Sequence, residues 1–259
     1  MTDFALLAKI YSSNQRRQIG ENVNNLLEGL SVEATVSGEP SENWIQVKLS
    51  GEDEAVAASL LAREFGFCPS KLESIEKSSA LKGFVTNLKE SKNELYVDVG
   101  VFQPKTVLAA VPLNNLQAQL AGGKTTSLEK IAEFWGVCEH LPLKVKVVNV
   151  DAEENRIDAE LAAEQVARFF NWRDSLLDRL LILGASLDQV KMAVEQAELG
   201  RDVIDIESLG MFEHALVCKL GTDAAGLVSR IGMRLRKAKF TVFNPKKLKA
   251  FLEHRQNSK

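Results

Sequence analysis

The sequence is poor in the residues that build small chemical sites. Its three cysteines, Cys68, Cys138 and Cys218, are far apart and never form a Cys-x-x-Cys pair, which argues against a disulfide framework or a zinc knuckle. Three histidines in 259 residues give no reason to assemble a triad, and there is no Gly-x-Ser-x-Gly nucleophile elbow. No apolar run approaches the roughly 18 residues a membrane helix needs. Met1-Thr2-Asp3 opens without a basic n-region, so neither export nor membrane insertion is expected and the chain is placed in the cytoplasm. At 45% hydrophobic and 26% charged residues the composition is that of a folded protein of two or three domains, not a disordered or low-complexity one.

What is present is an uneven charge. The formal net charge is -3, yet residues 230–259 carry ten Lys/Arg against one acidic residue. Everything before them is acidic. A local excess of that size reverses the field around the last segment, so its partner is considered first.

Residues 1–79 read as an α/β unit. An apolar strand from Phe4 to Tyr11 precedes Ile19, Val23, Leu26, Leu27 and Leu30, whose spacing puts them on one helical face. Val32, Ala34 and Val36, then Ile45, Val47 and Leu49, alternate with polar residues around the turn Gly38-Glu39-Pro40-Ser41, which predicts a hairpin. Ser50 is expected to cap a helix to Phe65, with Glu52, Asp53 and Glu54 in its first turn. The order β-α-β-β-α is most of a ferredoxin-like unit.

Residues 80–163 turn to strands: Gly83 to Lys89, Glu94 to Val99, Thr106 to Leu113, Leu143 to Val150 and Arg156 to Leu161. Thr126 and Glu129 suggest a capping box for the helix that ends at Trp135-Gly136. Five strands with helix between the third and fourth is the order of an OB barrel. The period-2 pattern sends Val145 and Val147 inward and Lys144 and Lys146 outward.

In residues 164–259, Gln165 to Leu183 reads as a helix, although Arg179 to Leu183 taken as a strand would make the region βαββαβ; Leu180-Leu181-Ile182-Leu183 fits either period. Ser186 caps the next helix. Val203 to Glu207 and Met211 to Lys219 pair as strands, Thr222 caps a helix to Ala238, Lys239 to Phe243 is a strand, and Asn244-Pro245 starts a short basic helix. The fold class is thus multidomain α+β: a ferredoxin-like N-terminal unit, an OB-like β-barrel and a C-terminal α/β unit with a basic tail.

Two resemblances follow. Lys82-Gly83-Phe84-Val85, Leu95-Tyr96-Val97-Asp98-Val99-Gly100 and Leu143 to Asp151 with Arg156-Ile157 make the middle segment similar to the S1-type OB domain of RNA-associated proteins. Where such domains present an aromatic and glycine pair in the second strand, this chain has Tyr96. Glu213 to Ala224 resembles an archaeal family of conserved proteins of unknown function.

Other motifs read more simply as structure. Gly122-Gly123-Lys124-Thr125 has Ala118 where a phosphate loop needs glycine. Gly221-Thr222 reads as an ordinary helix cap. His214 and Cys218 are two residues of metal-ligand type without a second pair. No cofactor, metal or catalytic residue is expected.

The basic segment is different. A helix through it would place Arg230, Arg234 and Lys237 in one stripe, followed by Lys239, Lys246, Lys247 and Lys249 with Phe240, Phe243 and Phe251 interleaved. The expectation is a non-enzymatic protein that binds RNA or an RNA-containing complex such as the ribosome or transcription machinery. The S1 resemblance implies that an exposed Phe84 or Tyr96 stacks on bases while Lys144, Lys146 and Arg156 track the backbone. The alternative is a protein-interaction scaffold whose barrel and α/β units contact other polypeptides.

Overall fold

A computed structural model describes residues 2–38 and 44–253. Most of the predicted turn at Gly38-Glu39-Pro40-Ser41 and the end of the basic tail lie outside the described residues. The first unit contains β1 (Thr2–Lys9), α1 (Ser13–Leu26), β2 (Val32–Ser37), β3 (Trp44–Gly51) and α2 (Glu54–Glu64). Its sheet has the order β1-β3-β2. Beside β1 run residues 66–68, held by Leu7 N to Gly66 O at 3.0 Å and Cys68 N to Ala5 O at 2.8 Å. Ile19 and Val23 of α1 and Ala57 and Leu61 of α2 are buried against Leu6, Ile45, Val47 and Leu49, which is why the apolar spacing reads correctly. The α1 helix stops at Leu26, however, and Leu27 and Leu30 follow it as turn residues.

After β4 (Ser70–Lys71) the chain builds a barrel from β5 (Ala80–Thr86), β6 (Glu94–Gln103), β7 (Val107–Pro112), then α3 (Leu113–Leu120), α4 (Leu128–Trp135), β8 (Pro142–Asp151) and β9 (Arg156–Leu161). Neighbours run β6-β5-β8-β9-β7, and β6 pairs with β7 to close the ring. All five pairs are antiparallel except β7 with β9. Val145 and Val147 are fully buried while Lys146 is exposed and Lys144 half-exposed, as the alternation requires. Gly136 ends α4 in the left-handed region at φ 66°. A Cβ there would come 3.2 Å from Cβ of Phe243, so both the backbone and the packing call for glycine.

The chain then forms α5 (Ala163–Asp174), β10 (Arg179–Leu183), α6 (Leu187–Gln196), β11 (Val203–Ser208), β12 (Glu213–Cys218), α7 (Ala224–Gly232), β13 (Lys239–Phe243) and α8 (Pro245–Glu253). Arg179–Leu183 is therefore a strand, and the helix reading through Leu183 fails. The segment is buried at every position because it is the inner strand of the sheet β11-β12-β10-β13. One face, Leu180, Ile182, Leu216 and Cys218, packs under α6 and α7. The other, Leu181, Leu183, Ala215 and Phe243, shares a core with the barrel and with Phe169 and Trp172 of α5.

Three caps differ from expectation. Asp53, not Ser50, precedes α2; Ser127, not Thr126, accepts from Lys130 N at the start of α4; and Asp223, not Thr222, accepts from Ala225 N at α7. In each case a second capping residue lay within three positions, and propensity alone does not choose between neighbours. Ser186 does form a full capping box with Gln189 on α6. No helix among the described residues is long and apolar enough to cross a membrane.

Candidate nucleic-acid interface

The expected barrel site is only partly assembled. Phe84 is 1% exposed, its ring edge-on to Trp44 with centroids 5.6 Å apart, so the expectation of an exposed stacking ring at Phe84 does not hold. On β5, Val85 points into the barrel, and alternation sends Phe84 outward to where the first unit covers it. Tyr96 is half-exposed and donates its hydroxyl to Glu94 at 2.7 Å, a bond that holds its proton above the usual phenol range. The cations beside it are engaged. Lys144 is bound to Glu164, Lys146 pairs with Glu160 at 3.3 Å, and Arg156 bridges Glu94 and Asp158, the latter at 2.7 Å. Each carboxylate neutralises the charge that would meet a phosphate.

The basic stripe is also rearranged. The α7 helix stops at Gly232, so Arg234 and Lys237 sit on the turns that follow and share no helical face with Arg230. Arg230 pairs with Asp202 at 3.0 Å and donates to the Ala197 carbonyl at 2.9 Å. Arg234 donates to the carbonyls of Gln196 and Arg230. Both guanidiniums thereby satisfy carbonyls at the C-terminal end of α6, where cations are favoured. Lys237, Lys239, Lys246, Lys247 and Lys249 are exposed or half-exposed and make no ion pair among the described residues. Lys246, Lys247 and Lys249 lie on α8, whereas Arg234 and Lys237 lie on the turns before β13.

The turns after α7 instead form one wall of a groove of about 450 Å³ between the first and third units. Arg234, Arg236 and Lys237 stand on this side; Ser12, Asn14, Gln15 and Gln18 of α1 and its cap stand opposite, with Gly184 and Gln189 between. Among the described residues no acidic side chain lines it. Gln15 ties the walls together: its amide donates to the Gly184 carbonyl at 2.9 Å and its carbonyl accepts from Tyr11 N at 2.7 Å. Gly184 has φ 97°, and a Cβ there would meet the Tyr11 ring at 3.2 Å, so glycine lets the units approach. Arg236 escapes a helix-stripe reading because the stripe presumes a helix that has already ended. The polar run Ser12 to Gln18 was a visible signal for the opposite wall, masked by the apolar positions that begin at Ile19.

His214 and Cys218 are both buried on β12, with Ser208 Oγ 3.3 Å from His214 Nδ1. Lys124, in the glycine-rich turn after α3, donates to the Leu252 carbonyl.

Comparison with family models divides the chain into three parts that follow the three sheets, except that β4 of the barrel sheet falls in the first part. Residues 3–71 match the DUF2110 N-terminal domain, 75–173 the DUF2110 central domain and 177–243 the DUF2110 C-terminal domain. The chain belongs to the DUF2110 domain family. The groove thus lies between the DUF2110 N-terminal and C-terminal domains, while the central DUF2110 domain holds the barrel. No curated protein matches. Among solved structures, the chain is similar to the a/eIF2alpha-aDim2p-rRNA complex from Pyrococcus horikoshii, at 14% identity over 50% of this chain and 70% of that one with a TM-score of 0.27. It is similar to the intact alpha subunit of aIF2 from Pyrococcus abyssi at 11% identity, covering 71% and 98% with a TM-score of 0.24. An uncharacterized protein from Methanocaldococcus jannaschii is similar at 16% identity, covering 34% and 95% with a TM-score of 0.24.

Proposed function

We propose that the chain is a non-enzymatic, cytoplasmic RNA-binding protein that acts on RNA or within an RNA-containing complex such as the ribosome or transcription machinery. The observation that carries this reading is the groove between the outer units, whose wall bears Arg234, Arg236 and Lys237 with no lining carboxylate among the described residues in a chain that is acidic before residue 230. Phosphate neutralised by such side chains releases counterions and gives salt-dependent affinity. We read the middle barrel as an OB fold of the S1 type, supported by its ring of strands with one parallel closure between β7 and β9. The outer units are read as ferredoxin-like, supported in the first by the β1-β3-β2 order with residues 66–68 beside β1 and in the third by the β11-β12-β10-β13 order in a βαββαβ chain.

The carboxylates on Lys144, Lys146 and Arg156 favour a second reading for the barrel alone, a surface that meets protein rather than phosphate. The test is to change Arg236 and Lys237 together to Gln and titrate wild type and variant with one unstructured RNA at several salt concentrations. Affinity should fall, and the salt slope should flatten by up to about two phosphate contacts. Superimposable curves would assign the groove to another partner and leave the scaffold as the better reading.

A further inference from the structure

Lys82 breaks a local rule. It stands on β5 directly opposite Lys144 of β8, and like charges facing each other across an antiparallel pair repel. Lys144 is relieved by Glu164. Lys82 is half-buried, and no hydrogen bond or ion pair reaches its ammonium among the described residues. Nearby carboxylates are already committed. Asp98 receives Lys9 and the Trp44 indole, and Glu213 receives the Tyr11 hydroxyl. Burial holds the Lys82 amine below the usual lysine range; Glu213 partly opposes this, while Arg168 and Lys144 add to it. A half-buried ammonium with no anion beside it is partly desolvated without compensation, a cost that folding alone has no reason to spend.

The residue lines a second groove, of about 590 Å³, between the first unit, the barrel and the start of α5. Leu7, Phe67, Pro69 and Leu81 supply apolar walls, and Phe67 is stiffened by stacking on Phe4 with centroids 4.4 Å apart. Lys144 and Glu164 line the groove too but pair with each other, so Lys82 is the one lining charge without a partner among the described residues. A volume of this size, mostly apolar walls and one uncompensated charge describe a small-ligand site more closely than a surface for a polymer. We infer that this groove binds a small monocarboxylate with an apolar body, its carboxylate on the Lys82 ammonium and its body against Leu7, Phe67 and Leu81. The site is independent of the basic groove, with which it shares no lining residue.

The test uses the full chain and calorimetric titration with 3-phenylpropionate and, as the uncharged control, 3-phenylpropionamide. A hydrogen bond to a charged partner makes the acid bind at least roughly tenfold tighter than the amide. Lys82→Met should reduce the acid to the amide's affinity, whereas Lys144→Met should leave the acid's preference in place. Lys82→Met should also melt no lower than wild type. Equal binding of acid and amide by wild type, or no saturable binding of the acid at millimolar concentration, overturns the proposal. So does a Lys82→Met chain that melts lower or fails to fold, because that outcome makes the amine a structural counter-ion for Glu213. Displacement of the acid by a saturating unstructured RNA would assign the groove to nucleic acid instead, and overturns it too.

Discussion

Tyr11 and Glu213 are 202 positions apart in the chain, yet the Tyr11 hydroxyl donates to Glu213 Oε1 at 2.7 Å. The bond joins the first unit to the third where both meet the barrel, and Tyr11 also lies edge-on to His140 with centroids 5.6 Å apart. Glu213 is 1% exposed, and Gly210 leaves the space its carboxylate fills, since a Cβ there would come 2.0 Å from Oε2. Because Gln15 and Gly184 of the basic groove adjoin Tyr11, the same junction sets the spacing of the groove's walls.

This junction makes stability depend on pH. Burial raises the Glu213 carboxyl from 4.5 to about 7, with the Tyr11 hydrogen bond opposing. Between those values the folded chain keeps a proton that the unfolded chain has released. The contribution is therefore full below the unfolded value and is lost as pH rises through the folded one, a change of roughly 3 kcal/mol. Urea denaturation of wild type and Glu213→Gln across this range should show the wild type losing stability relative to the variant. Parallel profiles would mean that Glu213 titrates as it does in the unfolded chain.

The seam between the first unit and the barrel rests on a different pair. Lys9, 4% exposed, donates to Asp98 Oδ2 at 2.8 Å, and the Trp44 indole donates to the same oxygen at 2.9 Å. The ammonium lies 4.9 Å from the Trp44 ring centroid. Lys9→Met strands the Asp98 charge and should cost about 3 to 5 kcal/mol in urea denaturation. A loss below about 1 kcal/mol, the range of exposed pairs, would show that water reaches Asp98.

Much of this architecture was legible from periodicity. Val145 and Val147 inward with the lysines outward, the barrel strands and the apolar face of α1 all follow from local periodicity, which side-chain direction makes reliable. The junctions were not legible. Phe84, Lys9 and Tyr11 sit on strand faces or strand ends that a single-unit reading leaves exposed, and only the docking of another unit buries them. The basic stripe failed for a related reason. Leu235 and Ala238 prolong the helical spacing beyond Gly232, but Leu235 reaches the core from a turn, so the periodicity outlasts the helix.

Tyr96 keeps a testable place on the barrel. Its ring is half-exposed beside a groove formed with Asn87, Lys92 and Asn93. If bases stack on it, Tyr96→Ala should weaken binding of unstructured RNA by about 1 to 3 kcal/mol. Tyr96→Phe, which keeps the ring and drops only the bond to Glu94, should bind as wild type. Equal losses in both variants would point to the hydrogen-bonded cluster with Glu94 and Arg156, not to the ring.

The cations of the C-terminal unit should separate by role. Arg230 is spent on Asp202 and the Ala197 and Glu198 carbonyls, so Arg230→Gln removes its guanidinium from those two carbonyls after α6, where Arg234 still holds the Gln196 carbonyl, and costs about 1 kcal/mol of stability. Its effect on RNA affinity should be small, because a guanidinium already neutralised by a carboxylate releases few counterions. Among the described residues Arg236 donates one hydrogen bond, to the Met233 carbonyl, and Lys237 has no hydrogen-bond or ion-pair partner, so their replacement should spare the melting temperature and lower affinity. Thermal melts and RNA titrations on the two sets of variants distinguish a structural cation from a binding one. An Arg230→Gln chain that melts like wild type but loses RNA would return Arg230 to the interface and require its ion pair with Asp202 to open on binding.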